Sequence, residues 1–165
     1  MAKKMTNLDD LYIDLLKDLY HAEKQLISAL PKMAKAAKSS DLRSALEDHL
    51  NQTKHQAERI ERIFSDRGNG SPKGKKCVGM EGIIEEGKEL MKEKVEDEVM
   101  DAGLIAAAQK AEHYEIASYG TARAWARQMG YDRDAELLQQ TLEEESMANE
   151  KLTRIAESHV NVEAR

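Results

Sequence analysis

The chain has 165 residues with nine glycines, two prolines and a formal net charge of −6; 34% of its residues are charged and 4% are aromatic. Few aromatic residues and few helix breakers are typical of an all-helical protein and exclude a β-sandwich or a β-barrel. The single cysteine, Cys77, excludes a disulfide scaffold, and the negative charge argues against broad nucleic-acid affinity. No apolar run is long enough to span a membrane and the start of the chain shows no signal peptide. We therefore expect a soluble, cytoplasmic protein with neither nucleic-acid nor membrane partners.

Two long helices are predicted in the first half of the chain. Apolar residues spaced three and four apart predict the first helix over about residues 7–38, with a kink at Pro31. The cluster Ser39-Ser40-Asp41 has the residues of a turn and a helix N-cap. A second helix is therefore predicted over about residues 41–67, ending before Gly68.

The following segment, DRGNGSPKGKKCVG over residues 66–79, is rich in glycine and lysine. Neither half of the chain is long enough to close a four-helix core alone, so we interpret residues 68–98 as a crossover connection that contains one short amphipathic helix. Two further long helices are predicted over about residues 99–129 and 132–158, separated at Gly130. The sequence thus predicts an all-α fold, a single domain over residues 1–165 built as a four-helix bundle with an additional short helix in the crossover.

Each long helix carries ionisable or polar residues within its apolar face, near the middle of the helix. These residues are Glu23 in the first helix, His49 and Gln52 in the second, Glu112 and Glu115 in the third, and Glu145 in the fourth, where helical phase places Glu145 inward more squarely than Glu144. Buried carboxylates without compensation would cost several kcal/mol each. They must be protonated, paired with bases, or neutralised by a cation.

Two interpretations of this pattern stay open. Carboxylates and an imidazole contributed by four helices can build a site for iron or manganese, as in ferritin-like carboxylate proteins. Alternatively, each glutamate flanks the apolar face and its carboxylate reaches water. The chain lacks the Glu-x-x-His pair of such metal sites; the nearest match is Gln52-x-x-His55, and glutamine is a neutral, weaker ligand.

Several segments resemble the YciE/YciF family of ferritin-like stress proteins. They are DLYHAEKQL (18–26), ALPKMAKAA (29–37), HLNQTKHQAERIE (49–61), KCVGMEGIIEEG (76–87), DAGLIAAAQKAEHYEIASYGT (101–121) and LLQQTLEEE (137–145). The resemblance covers nearly the whole chain. It implies a ferritin-like bundle, a homodimer, a two-metal site and expression under general stress.

The resemblance also implies a set of metal-site residues. They are Glu23, His49, the paired acids Glu112 and Glu115, and the acidic run Glu144 and Glu145. Two positions depart from the usual family pattern: Gln52 stands where a glutamate is common, and Asn149 where an aspartate is common. Each change replaces a carboxylate by its amide, which favours a single metal ion or a metal-free centre over a metal pair.

The leading hypothesis is a stress protein that holds one or two iron or manganese ions between its long helices and handles oxygen or peroxide if it is an enzyme. Glu115 and Glu145 are the candidates for bridging ligands, His49 for a terminal ligand, and Gln52 offers only a neutral carbonyl oxygen. The alternative is a non-catalytic structural bundle whose polar centre is free of metal. Iron storage in a cage is a weaker third hypothesis. The substrate is not predicted.

Overall fold

The computed structural model describes residues 4–165 and, within them, shows helices and no strand. Its elements are α1 (Leu8–Ala36), α2 (Ser40–Asp66), α3 (Val78–Lys92), α4 (Asp97–Gln128) and α5 (Asp132–Ile155), followed by a π-helical turn (Ala156–Val160) and a last helical turn, α6 (Asn161–Glu163). Four of these helices are long, and α3 is the short helix of the crossover. The predicted fold class is therefore confirmed.

The ends of α1 and α2 follow local capping chemistry. The Asn7 side chain accepts a hydrogen bond from the Asp10 N–H at 2.9 Å, which satisfies one free donor at the start of α1. The helix continues through the exposed Pro31 and ends at Ala36, slightly before the predicted end, because Ala37 is extended. Ser39 then caps α2 by accepting from the Leu42 N–H at 3.3 Å.

The crossover between α2 and α3 needs glycine at three positions. Gly68, Gly70 and Gly74 have φ angles of 67°, 73° and 106°. Other L-residues adopt this region at a cost in strain. The glycines therefore let this linker leave α2, and α3 then packs against α1 and α4.

The core is divided along the bundle into two apolar clusters. One is built around Leu26, Leu46, Leu104 and Leu152, and the other around Leu16, Ile60, Tyr119 and Leu138. Each long helix has buried polar residues between the positions that enter the two clusters, whereas buried Asp101 and Asp134 lie near the starts of α4 and α5. The polar residues between the clusters thus form a layer across the middle of the bundle. Among the described residues, no helix has the length and apolar character needed to span a bilayer.

Candidate functional site

The polar layer contains five ionisable side chains, which we name the acidic centre: Glu23 on α1, His49 on α2, Glu112 and Glu115 on α4, and Glu145 on α5. Glu23, Glu115 and Glu145 are fully buried, while Glu112 is 2% and His49 6% exposed. Each of the four long helices contributes at least one of these residues. Helical register places each of them near the middle of its helix, between the two apolar clusters, and the packing of the four helices brings them together.

Three neutral or weakly basic groups contact the carboxyls of the acidic centre. The Tyr119 hydroxyl donates a short hydrogen bond to Glu23 Oε1. The Gln56 amide Nε2 donates to Glu145 Oε1 at 2.7 Å, and His49 Nε2 lies 3.7 Å from Glu145 Oε2. These contacts do not satisfy every buried oxygen.

Five carboxylate oxygens of the acidic centre are buried without an N–H or O–H donor. They are Glu23 Oε2, Glu112 Oε2, Glu115 Oε1, Glu115 Oε2 and Glu145 Oε2. Glu115 is flanked by the carboxyls of Glu23 and Glu145, and such groups share a hydrogen bond when one of them carries a proton. The centre therefore requires protons or a cation to be stable inside the bundle.

Burial is the main electrostatic influence on these carboxyls. Burial, together with the nearby charge of Glu145, raises the pKa of Glu112 to about 9. Burial likewise raises the pKa of Glu23, Glu115 and Glu145 above the ordinary glutamate value, and the carboxyls repel one another when ionised. A cation in the centre would offset both effects.

The other predicted site residues, Gln52 and Glu144, and the departure from the family pattern at Asn149 lie outside the acidic centre. Gln52 is half-buried, and its Oε1 lies 3.3 Å from His49 Nδ1. Glu144 lies outside the centre, where Arg59 donates two hydrogen bonds to it at 2.6 and 2.7 Å. Asn149 accepts a hydrogen bond from Gln109 at 3.2 Å. The structure thus brings Glu23, His49, Glu112, Glu115 and Glu145 together and places Gln52 behind His49.

Sequence reasoning did not assign Gln56 and Arg59 to the site. Gln56 is fully buried and donates to both Glu145 and Glu144, the latter at 3.1 Å. Its place in the apolar periodicity of α2, between Thr53 and Ile60, was a signal that could have identified it. Arg59 is half-buried and carried no comparable signal, because its role depends on the neighbouring helix α5.

Within residues 4–165, no group of three or more His, Cys, Asp or Glu side chains has the arrangement of a preformed metal-ion site. The types of donor present in the acidic centre, and their unsatisfied oxygens, nevertheless fit iron or manganese. The fold and the centre together define the class of this protein: an all-helical, ferritin-like bundle with a buried cluster of carboxyl groups.

The chain belongs to the family described as "Domain of unknown function (DUF892)", whose model matches residues 7–165. It is 49% identical over 160 residues to Protein YciF of Escherichia coli, covering 97% of this chain and 96% of that protein. The crystal structure of the E. coli stress protein YciF matches with a TM-score of 0.91 over 95% of this chain and 99% of that chain. The sequence resemblance to the YciE/YciF family is thereby confirmed.

Two other solved structures are similar. YcfI, described as a putative structural protein from Rhodopseudomonas palustris, is 40% identical, with a TM-score of 0.89 over 93% of this chain and 97% of that chain. A protein from Xanthomonas campestris is 22% identical, with a TM-score of 0.73 over 93% of this chain and 94% of its own. At that identity the similarity shows the fold alone.

Proposed function

We propose that the acidic centre binds one or two divalent iron or manganese ions and that this protein acts in the cytoplasm during stress. The observation that carries the proposal is the set of five buried carboxylate oxygens without a donor. Unpaired buried carboxylates are costly, and a divalent cation compensates several of them at once. The description of the relative YciF as a stress protein supports the physiological setting.

The ligands would come from Glu23, Glu112, Glu115, Glu145 and His49, and the mixture of carboxylates with one imidazole favours iron or manganese over Mg²⁺ or Ca²⁺. Gln52 would orient His49, because its Oε1 accepts from the Nδ1–H at 3.3 Å and leaves Nε2 facing the centre. Bound iron or manganese would supply redox chemistry toward oxygen or peroxide. The homodimer implied by the family resemblance stays a prediction that light scattering would test.

A second candidate function is a metal-free structural bundle. Two contacts favour it: the Gln56 amide donates to Glu145, and the Arg59 guanidinium neutralises Glu144. In both contacts a side chain of α2 is the partner of a carboxyl on α5, so these two carboxyls are stabilised without a cation. The relative YcfI is itself described as a putative structural protein.

The experiment that separates the two functions measures metal content and thermal stability together. Protein is purified without chelator or affinity nickel, and iron and manganese per chain are measured by mass spectrometry. At free Mn²⁺ of 100 times Kd, binding stabilises by about 2.7 kcal/mol, which raises Tm by roughly 5–10 °C. The conservative variant Glu115→Gln should lose both the metal and the Tm increase, whereas the exposed control Glu136→Gln should keep both.

A gain-of-carboxylate variant tests whether position 52 adds to the site. Gln52→Glu places a carboxylate beside His49, so we expect tighter Mn²⁺ binding and a larger Tm increase at equal Mn²⁺. Unchanged metal content in Gln52→Glu would show that residue 52 is not part of the metal site. Metal content near zero in the unaltered protein, with no Tm increase on adding Fe²⁺ or Mn²⁺, would favour the structural function.

A further inference from the structure

We propose that an open groove between α2 and α5 is the route by which hydrated divalent cations reach the acidic centre, with the Asp48–Lys151 ion pair as its gate. The groove has a volume of about 510 Å³ and is lined by residues of α2 and α5 and by Glu112 of α4. At about 30 Å³ per water molecule, it holds on the order of 15 waters. The inference rests on the proposed metal-binding function.

The floor of the groove is formed by part of the acidic centre itself. His49 and Glu112 both line the groove, and they are the two members of the centre with measurable exposure. Glu112 Oε2 is buried without a hydrogen-bond donor, so the carboxyl of this lining residue keeps one oxygen free for a ligand. A cation that enters the groove therefore meets a carboxyl and an imidazole before any fully buried group.

From this floor, the other carboxyls of the acidic centre lie further inward. His49 Nε2 lies 3.7 Å from Glu145 Oε2, and Glu112 is close enough to Glu145 for their charges to interact. Glu145 neighbours Glu115, which in turn neighbours Glu23. A cation can thus exchange its waters for carboxylate oxygens stepwise, since each ligand lies beside the next.

Exposed ion pairs line the groove on its solvent side. Lys151 Nζ on α5 lies 2.9 Å from Asp48 Oδ2 on α2, and both side chains are largely exposed. Arg154 Nη1 lies 4.0 Å from Glu150 Oε2. The two acidic and two basic side chains of these ion pairs therefore cancel in charge. Movement of the exposed Lys151 side chain into water would leave Asp48 as an unpaired carboxylate that attracts cations. Exposed ion pairs of this kind are weak enough to open readily.

The first test blocks the groove and follows the rate of metal uptake. Ala148 lines the groove, so the indole of Ala148→Trp would fill part of it. The matched control is Ala124→Trp, the same substitution at an exposed position of α4 outside the groove. Uptake of Mn²⁺ alone by the metal-free protein is followed by loss of the free-Mn²⁺ EPR signal. We expect Ala148→Trp to slow uptake at least tenfold with the final Mn²⁺ content unchanged, and Ala124→Trp to leave the rate unchanged.

The second test changes the gate and keeps the inference testable if Ala148→Trp does not fold. Lys151→Gln leaves Asp48 unpaired, so we expect uptake about two- to fivefold faster at low ionic strength and no difference in high salt. The control is Lys88→Gln, which removes an equally exposed lysine from a surface ion pair with Glu85. If the protein binds Mn²⁺ but Ala148→Trp or Lys151→Gln takes it up at the same rate as its control, the proposed route is wrong. That result would leave the metal site itself unaffected. Absence of Mn²⁺ binding in the unaltered protein would overturn the proposed function, and the route with it.

Discussion

At the scale of single residues, Glu112 shows how burial changes the chemistry of a carboxyl group. It lines the groove, yet only 2% of the residue is exposed, and no donor reaches its Oε2. Burial and the charge of Glu145 raise its pKa to about 9. In the metal-free protein Glu112 therefore holds its proton at neutral pH, whereas the same group in the unfolded chain is ionised.

This difference predicts how the stability of the metal-free protein depends on pH. The folded state binds a proton that the unfolded state releases between the ordinary glutamate pKa and about 9. The contribution of this Glu112 proton to the free energy of unfolding is complete below the ordinary glutamate pKa and is lost as the pH rises toward 9. With chelator present, we expect the free energy of unfolding to fall by roughly 1 kcal/mol per pH unit for this proton. Urea unfolding between pH 5 and 9 measures the slope.

The variant Glu112→Gln has no titratable group at this position and should lose that part of the slope. The exposed Glu136→Gln on α5 is the control and should keep the slope of the unaltered protein. An unchanged slope in Glu112→Gln would show that Glu112 does not carry the proton. Because Glu23 and Glu115 also have raised pKa values, we expect Glu112→Gln to reduce the slope rather than abolish it.

At the scale of elements, the turn between α1 and α2 is stabilised by α4. The buried Asp101 carboxylate accepts from the Lys38 N–H at 2.8 Å and the Ser39 N–H at 2.7 Å. Asp101→Asn replaces one acceptor oxygen by a donor, so we expect a loss of about 1–3 kcal/mol. Asp97→Asn removes an exposed ion pair with Lys38 at 3.5 Å and one negative charge in the first turn of α4, and should cost less than about 1 kcal/mol. Urea unfolding of both variants tests this, and equal effects would contradict it.

Two glycines of α3 give a second prediction at this scale. A Cβ at Gly79 would lie 2.7 Å from Tyr114 Cε2, and Tyr114 donates to Asp18 at 2.5 Å. Gly79→Ala should displace the tyrosine ring and lower Tm. A Cβ at Gly82 meets nothing within 4 Å, so Gly82→Ala should stabilise by up to about 1 kcal/mol through helix propensity. Thermal unfolding should show a lower Tm for Gly79→Ala and a higher Tm for Gly82→Ala. A higher Tm for Gly79→Ala would show that its Cβ does not clash with Tyr114.

The elements also show what periodicity predicts and what it does not. A three-and-four spacing identifies the inward face of a helix, which is why Glu145 rather than Glu144 is found in the acidic centre. It does not identify the partner on another helix. The contact of Gln56 with Glu145 spans 89 positions, and that of Asp101 with Ser39 spans 62. Such contacts depend on the packing of whole helices, which one-dimensional spacing does not contain.

At the scale of the whole molecule, the acidic centre interrupts an otherwise apolar core. The two clusters around Leu26 and Leu16 lie on either side of it, and between them the bundle contains carboxyls that repel one another when ionised. A fold selected for stability alone would place apolar residues there. Replacing a buried ion pair by apolar residues of similar volume often leaves a protein equally stable or stabilises it by about 1–4 kcal/mol, and carboxyls that face other carboxyls lack even the attraction of such a pair.

The last prediction uses this cost to separate a ligand site from a structural network. Glu115 is the best position, because both of its oxygens lack a donor and both neighbours, Glu23 and Glu145, are acids. If the carboxyl is kept for metal binding, Glu115→Leu should raise the free energy of unfolding in chelator by about 1–4 kcal/mol at pH 8 and abolish the Tm increase caused by Mn²⁺. The exposed control Glu136→Leu should change neither. A strongly destabilised Glu115→Leu would instead show that the carboxyl stabilises its neighbours through shared protons, which is the result expected of a metal-free structural bundle.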